Sequence, residues 1–131
     1  MMKPPSNTKL YYTSTSTFWF DKDGILYSVS KKAPPQSLEE VKKSLADLKK
    51  VIKQEKVCML IDVTYSTVTT REVREYAAVE FPKFVKAIAM ISDSSLGRML
   101  ANLFFAMKPQ PYPTKMFNDE KEAKEWLRQY L

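Results

Sequence analysis

Apolar residues recur along this chain with two different periods, and the changes between them set out an order of elements. "TFWF" (17–20) and "ILYSVS" (25–30) are of strand length and flank "DKDG", a hairpin turn in which Gly24 supplies a positive φ. "KKAPP" then breaks the chain. Leu38, Val41, Leu45, Leu48 and Ile52 follow at three- and four-residue intervals, which predicts a helix to about Lys53. Ser37 stands as its N-cap, with Glu40 three positions on completing a capping box. "KVCMLIDV" (56–63) is almost continuously apolar, as a strand covered on both faces must be. A helix is expected from about Thr70 to Phe81, opened by a Thr69–Glu72 capping box and ended by Pro82. Its inner face is Val73, Tyr76, Ala77 and Phe81. "FVKAIAMIS" (84–92) reads as a strand. "DSSLGRMLANLFFAMK" (93–108) reads as a helix capped by Asp93 or Ser94. After the rigid "PQPYP" come a short strand, "TKMF", and a last helix in "NDEKEAKEWLRQYL", capped by Asn118 or Asp119. Ala123, Trp126, Leu127 and Tyr130 form its inner face.

The resulting order, ββαβαβαβα, predicts an α/β fold: a mixed sheet with an N-terminal β-hairpin followed by three right-handed β-α crossover units. The 131 residues suit one domain with a single core, placed at 16–131. Residues 1–15, polar and rich in Pro, Ser and Thr, are expected to form a flexible tail.

Composition narrows the chemistry. The chain has no histidine, which removes the commonest general base and zinc ligand. Its two glycines, Gly24 and Gly97, are too few for a P-loop, a dinucleotide-binding glycine motif or a nucleophile elbow. An enzyme is therefore disfavoured, and no cofactor is implied. The net charge of +6 raises the question of nucleic acid. The basic residues, however, are mostly lysines interleaved with Glu and Asp on helical patterns, and no basic-aromatic recognition motif occurs. No apolar run approaches the ~20 residues of a membrane span, and the N-terminus lacks the apolar segment of a secretory signal. The single cysteine, Cys58, lies inside an apolar run and reads as a core residue in a reducing cytoplasm.

The hairpin, the strand ending in "LIDV", the hydroxyl-rich turn into a helix, and the stretches "AIAMISDSSLGRMLANLFF" and "MFNDEKEAKEWL" together resemble the STAS superfamily. They are closer to its stand-alone bacterial STAS-like branch, grouped with the CRAL-TRIO lipid-transfer architecture. The resemblance covers Ser16 to Leu131 and implies a fold rather than an activity. In the anti-sigma-factor antagonists of that superfamily, a D-S-S-G turn after the corresponding strand carries a phosphorylated serine and faces a protein partner. Asp62 matches the strand's acid, but the turn position falls near Thr69 and Thr70 without the motif's acid and glycine. The D-S-S at Asp93, Ser94 and Ser95 comes one β-α unit later.

Two groups of residues are candidate sites. If the parallel strands lie side by side, the bends after Val63 and Ser92 open at one carboxyl edge, where open α/β sheets bind ligands. Asp62, Thr64, Ser66, Thr69, Thr70, Asp93, Ser94, Ser95 and Arg98 would gather there. Hydroxyls and helix N-termini suit an anion, while the same residue types also serve simply as helix caps. The second group, Phe104, Phe105, Met107 and Tyr112, would line a lipophilic pocket or a dimer contact, or belong to a helix buried on two sides. The expected role is a non-catalytic regulatory module acting through a protein partner, its own copy included. The alternative is a carrier of a small molecule or lipid.

Overall fold

A computed structural model describes residues 2–65, 70–92 and 111–131. Its elements are β1 (Tyr11–Tyr12), β2 (Ser16–Phe20), β3 (Leu26–Ser30), α1 (Leu38–Val51), β4 (Val57–Asp62), α2 (Arg71–Glu80), β5 (Val85–Ile91), β6 (Thr114–Phe117) and α3 (Glu120–Leu127). The strands form one mixed sheet in the order β1-β2-β3-β4-β5-β6. β1, β2 and β3 pair antiparallel, whereas β3, β4, β5 and β6 are all parallel. The strands expected at 56–63 and 84–92 are thus direct neighbours running the same way, with Met59 opposite Ile88 and Asp62 opposite Ile91. The helix expected over 93–108 lies outside the described residues.

Side-chain alternation along the strands builds two cores, one on each face. Val57 and Met59 of β4 join Phe18, Leu26, Phe84 and Val85 beneath Leu45 of α1. Leu48, Val51, Ile52, Tyr76 and Phe81 complete that layer, so α1 and α2 share a face. Cys58 and Leu60 point the other way and join Trp19, Tyr27, Ala87 and Ala89 beneath Ala123 and Leu127 of α3. This is why residues 57–60 are apolar without a break. A bulge separates the pairs Val57–Val85 and Cys58–Ala87. It skips Lys86, which is exposed although β5 is an inner strand.

The hairpin turn is as expected: Asp21 Oδ1 accepts from the Asp23 and Ile25 amides, and Gly24 has φ 83°. Lys124 of α3 pairs with Asp21 and Asp23 at 3.4 and 3.7 Å, tying that helix to the hairpin. The Ser37–Glu40 capping box is present. Asp119, rather than Asn118, caps α3. Two details differ from the sequence reading. The cap of α2 is Thr70, whose Oγ1 accepts from Val73 N, so the Thr69–Glu72 box is shifted by one residue. The stretch read as a tail contains β1, paired Tyr11–Phe18 and Tyr12–Thr17, while Met2 is buried in the α3-side core. The tail's polar composition hides both, because two tyrosines and one methionine supply the contacts.

Candidate functional site

Parallel strands bring the ends of β3, β4 and β5 to one carboxyl edge. Asp62, the last residue of β4, is 1% exposed. Its Oδ1 accepts from both the main-chain N (2.8 Å) and Oγ1 of Thr64. This is the local role expected of an Asp followed by a hydroxyl: the carboxylate turns the chain as it leaves the sheet. Val63 N still donates to Ile91 O at 2.8 Å, holding β4 to β5 to the last residue. Two residues on, Tyr65 N donates to Ser30 Oγ at the end of β3 (2.9 Å). The bend after β4 is therefore fastened at successive positions, and it presents Tyr65 to solvent with 42% of its surface exposed.

Ser92, at the end of β5, is buried and partnered. Thr70 is committed to capping α2. Of the polar candidates, Asp62 and Thr64 come together; Ser66, Thr69, Asp93, Ser94, Ser95 and Arg98 lie outside the described residues, as do Phe104, Phe105 and Met107. Tyr112 packs against the α1-side core, and burial pushes its phenol up to about 12.

The structure adds residues that the sequence reading passed over. Between the end of β3 and the 31–36 connection lies a pocket of about 180 Å³, lined by Thr15, Ser16, Ser28, Ser30, Lys31 and Gln36, with Ile61, Asp62 and Tyr65 on its far side. Ser16 and Ser30 are opposite one another on paired strands, and Ser28 is two residues back on the same face. That face is apolar at its other end, at Phe18 and Leu26. The signal was available in "LYSVS": the inward-facing period of β3 runs Leu26, Ser28, Ser30, two polar residues where a packed strand continues apolar. A second, larger groove of about 610 Å³ lies between β1 and α1, with Leu10, Tyr11 and Phe18 beside Glu40, Lys43 and Asp47. Among the described residues no group of His, Cys, Asp and Glu is arranged to hold a metal ion, and no helix is long and apolar enough to cross a membrane.

Residues 18–131 match a family model described as "Domain of unknown function (DUF7793)". No curated protein matches the chain. Among solved structures, it is similar to an uncharacterised protein of the DUF3478 family with a SpoIIAA-like fold from Shewanella loihica PV-4. The two share 18% identity over 97% of this chain and 98% of the other, with a TM-score of 0.59. A protein of unknown function from Arthrobacter sp. FB24 is 26% identical over 85% of this chain and 97% of its own, with a TM-score of 0.31. The Shewanella likeness is one of fold, and it is the STAS-like fold that the order of elements resembles.

Proposed function

This chain belongs to the DUF7793 family of domains of unknown function, and we propose that it is a non-catalytic, STAS-like regulatory module that works through protein contacts at the carboxyl edge of its parallel strands. The reading rests on Tyr65. It sits on a bend fastened by Asp62, Thr64 and Ser30, so a large amphipathic ring is displayed at a fixed place rather than on a loose loop. Pre-organised aromatic side chains of this kind are what protein interfaces favour. The buried acid at the end of β4, Asp62, is committed through Oδ1 to Thr64, an arrangement that suits a structural role better than proton transfer. The partner is another protein, a second copy of this chain included.

A photo-crosslinking amino acid at position 65, in cells that make the protein, tests this directly. A discrete covalent adduct is expected from position 65 and not from position 79, where Val79 is also exposed but lies on α2. A product twice the chain's mass would identify the partner as a second copy. No adduct at 65 beyond that at 79 would overturn the proposal.

The alternative, a carrier of a small or lipophilic molecule of the kind the CRAL-TRIO likeness suggests, draws on the groove between β1 and α1. Its volume falls within the ~300–1,000 Å³ of ordinary ligand sites, and Leu10, Tyr11 and Phe18 give it an apolar wall. Native mass spectrometry of freshly purified protein is expected to show a bound mass if this holds, and bare protein if it does not.

A further inference from the structure

We propose that the serine-lined pocket at the end of β3 binds a small oxyanion: phosphate, or a mono- or dicarboxylate of a few carbons. This is independent of the protein-contact reading. The argument is an accounting of hydrogens. Thr13 Oγ1 accepts from two amides, Thr15 N (3.2 Å) and Ser16 N (3.0 Å), which occupies both of its lone pairs. Its own hydrogen must then serve the 3.0 Å contact with Ser16 Oγ or the longer one to Ser16 O. Either way, Ser16 cannot donate to Thr13, and its hydroxyl hydrogen is left for another acceptor. Ser30 Oγ accepts from Tyr65 N, so its hydrogen is also unassigned. Ser28, two residues before Ser30 on the same face, adds a third hydroxyl beside this pair. Two of the three are set by their neighbours to donate.

Charge points the same way. Lys31 lines this pocket, and its ammonium lies 5.4 Å from the centre of the exposed Tyr12 ring. Asp62 also lines the pocket, but strand alternation turns its side chain toward the α3 face, and its Oδ1 accepts from Thr64. Gln36 uses its amide hydrogens on Ser14 (3.1 Å) and Ser44 (3.0 Å), bracing the connection that roofs the pocket. The volume, about 180 Å³, is below that of a drug-sized site and far above what one water needs. Convergent hydroxyl donors beside one lysine, in a space of that size, match the oxygens of a small anion.

The test is a titration of the purified full chain with sodium phosphate and sodium malonate, at ionic strength held constant with sodium chloride, followed by backbone amide NMR. Saturable shifts are expected at Ser16, Ser28, Ser30, Lys31 and Tyr65 with one or both anions and not with chloride. Ser28→Ala, Ser30→Ala and Lys31→Gln should each weaken binding by roughly tenfold or more, the effect of losing one bond to a charged acceptor. Shifts that rise linearly without saturating for both anions would overturn the proposal. So would unchanged affinity in all three variants while their spectra remain folded.

Discussion

Replacing Asp62 by alanine measures how much the carboxyl edge depends on one buried acid. The carboxylate is 1% exposed and accepts from the amide and the hydroxyl of Thr64. A hydrogen bond to a charged acceptor contributes about 1.5–3 kcal/mol. Thr64 is half-buried, so water replaces part of what is lost, and the net destabilisation should be about 2 kcal/mol. Unfolding entropy of ~2.1 cal/mol/K per residue over 131 residues gives ~0.28 kcal/mol/K, so Tm should fall by about 7 °C. Thr64→Ala removes the hydroxyl and keeps the amide; it should lower Tm by about 4 °C. The double variant should be less than additive by about 1 kcal/mol, because the two residues share a bond. Thermal melts by circular dichroism supply the numbers, and amide exchange at Tyr65 reports the bend itself. Exchange should accelerate in Asp62→Ala, since the turn that aims Tyr65 N at Ser30 is no longer held. An Asp62→Ala protein that melts within ~1 °C of the parent, or purely additive losses, would refute the account of how the bend is fastened.

Leu127→Ala should destabilise by about 3 kcal/mol, or roughly 11 °C, because the side chain is fully buried beneath the sheet; Leu131→Ala, half exposed, should change stability by less than ~0.5 kcal/mol. Equal effects would mean that α3 is not docked as described. Thr70→Ala should cost about 1 kcal/mol in a denaturant titration and Glu72→Ala only a few tenths, whereas the reverse order would restore the cap to Thr69. Cys58 is 2% exposed, and burial pushes its thiol up against the opposing charge of Lys86. Ellman's reagent should therefore react slowly with the native protein and at once in guanidinium; prompt native reaction would refute the burial.

What the sequence made legible was periodicity reinforced by capping chemistry. Leu38 to Ile52 repeats cleanly behind Ser37 and Glu40, and that helix begins where the box puts it. The uninterrupted run at 57–61 announced a strand with helices on both sides, and the two cores bear this out. The cap of α2 slipped by a residue because Thr69 and Thr70 are chemically equivalent and Glu72 suits a box with only one of them. β1 was missed because a two-residue strand has no period. The candidate site divided along the same line. Asp62 and Thr64 are two apart and meet through a local turn, which spacing alone can suggest. Ser16, Ser28 and Ser30 meet only after β2 and β3 pair in register, and Lys31 and Gln36 arrive with the connection that follows. A pocket made by register is invisible until the register is known.

The two faces of the sheet end differently, and the difference bears on where function can lie. On the α3 face the apolar packing continues to the carboxyl end: Val29 packs there beside Leu60, Ile91 and Phe117, and the buried Asp62 closes the row by satisfying its own neighbour. On the α1 face the packing stops early. Leu26 and Met59 are buried, but one step further toward the same end the positions are Ser28 and Ile61, and then Ser30 beside the Tyr65 bend. Valine at 28 and 30 would suit β structure better and would add apolar burial of about 25 cal/mol per Å². Serine forgoes that gain at two successive inward positions of an inner strand. One of the two hydroxyls is accounted for by Tyr65 N, a bond that folding can use. Ser28 has no such duty among the described residues, so the face gives up stability there without a structural return. That asymmetry makes Ser28 the residue whose substitution best separates the two explanations. Ser28→Val should stabilise the free protein while abolishing anion binding if the hydroxyl serves a ligand, and should leave binding untouched if it does not.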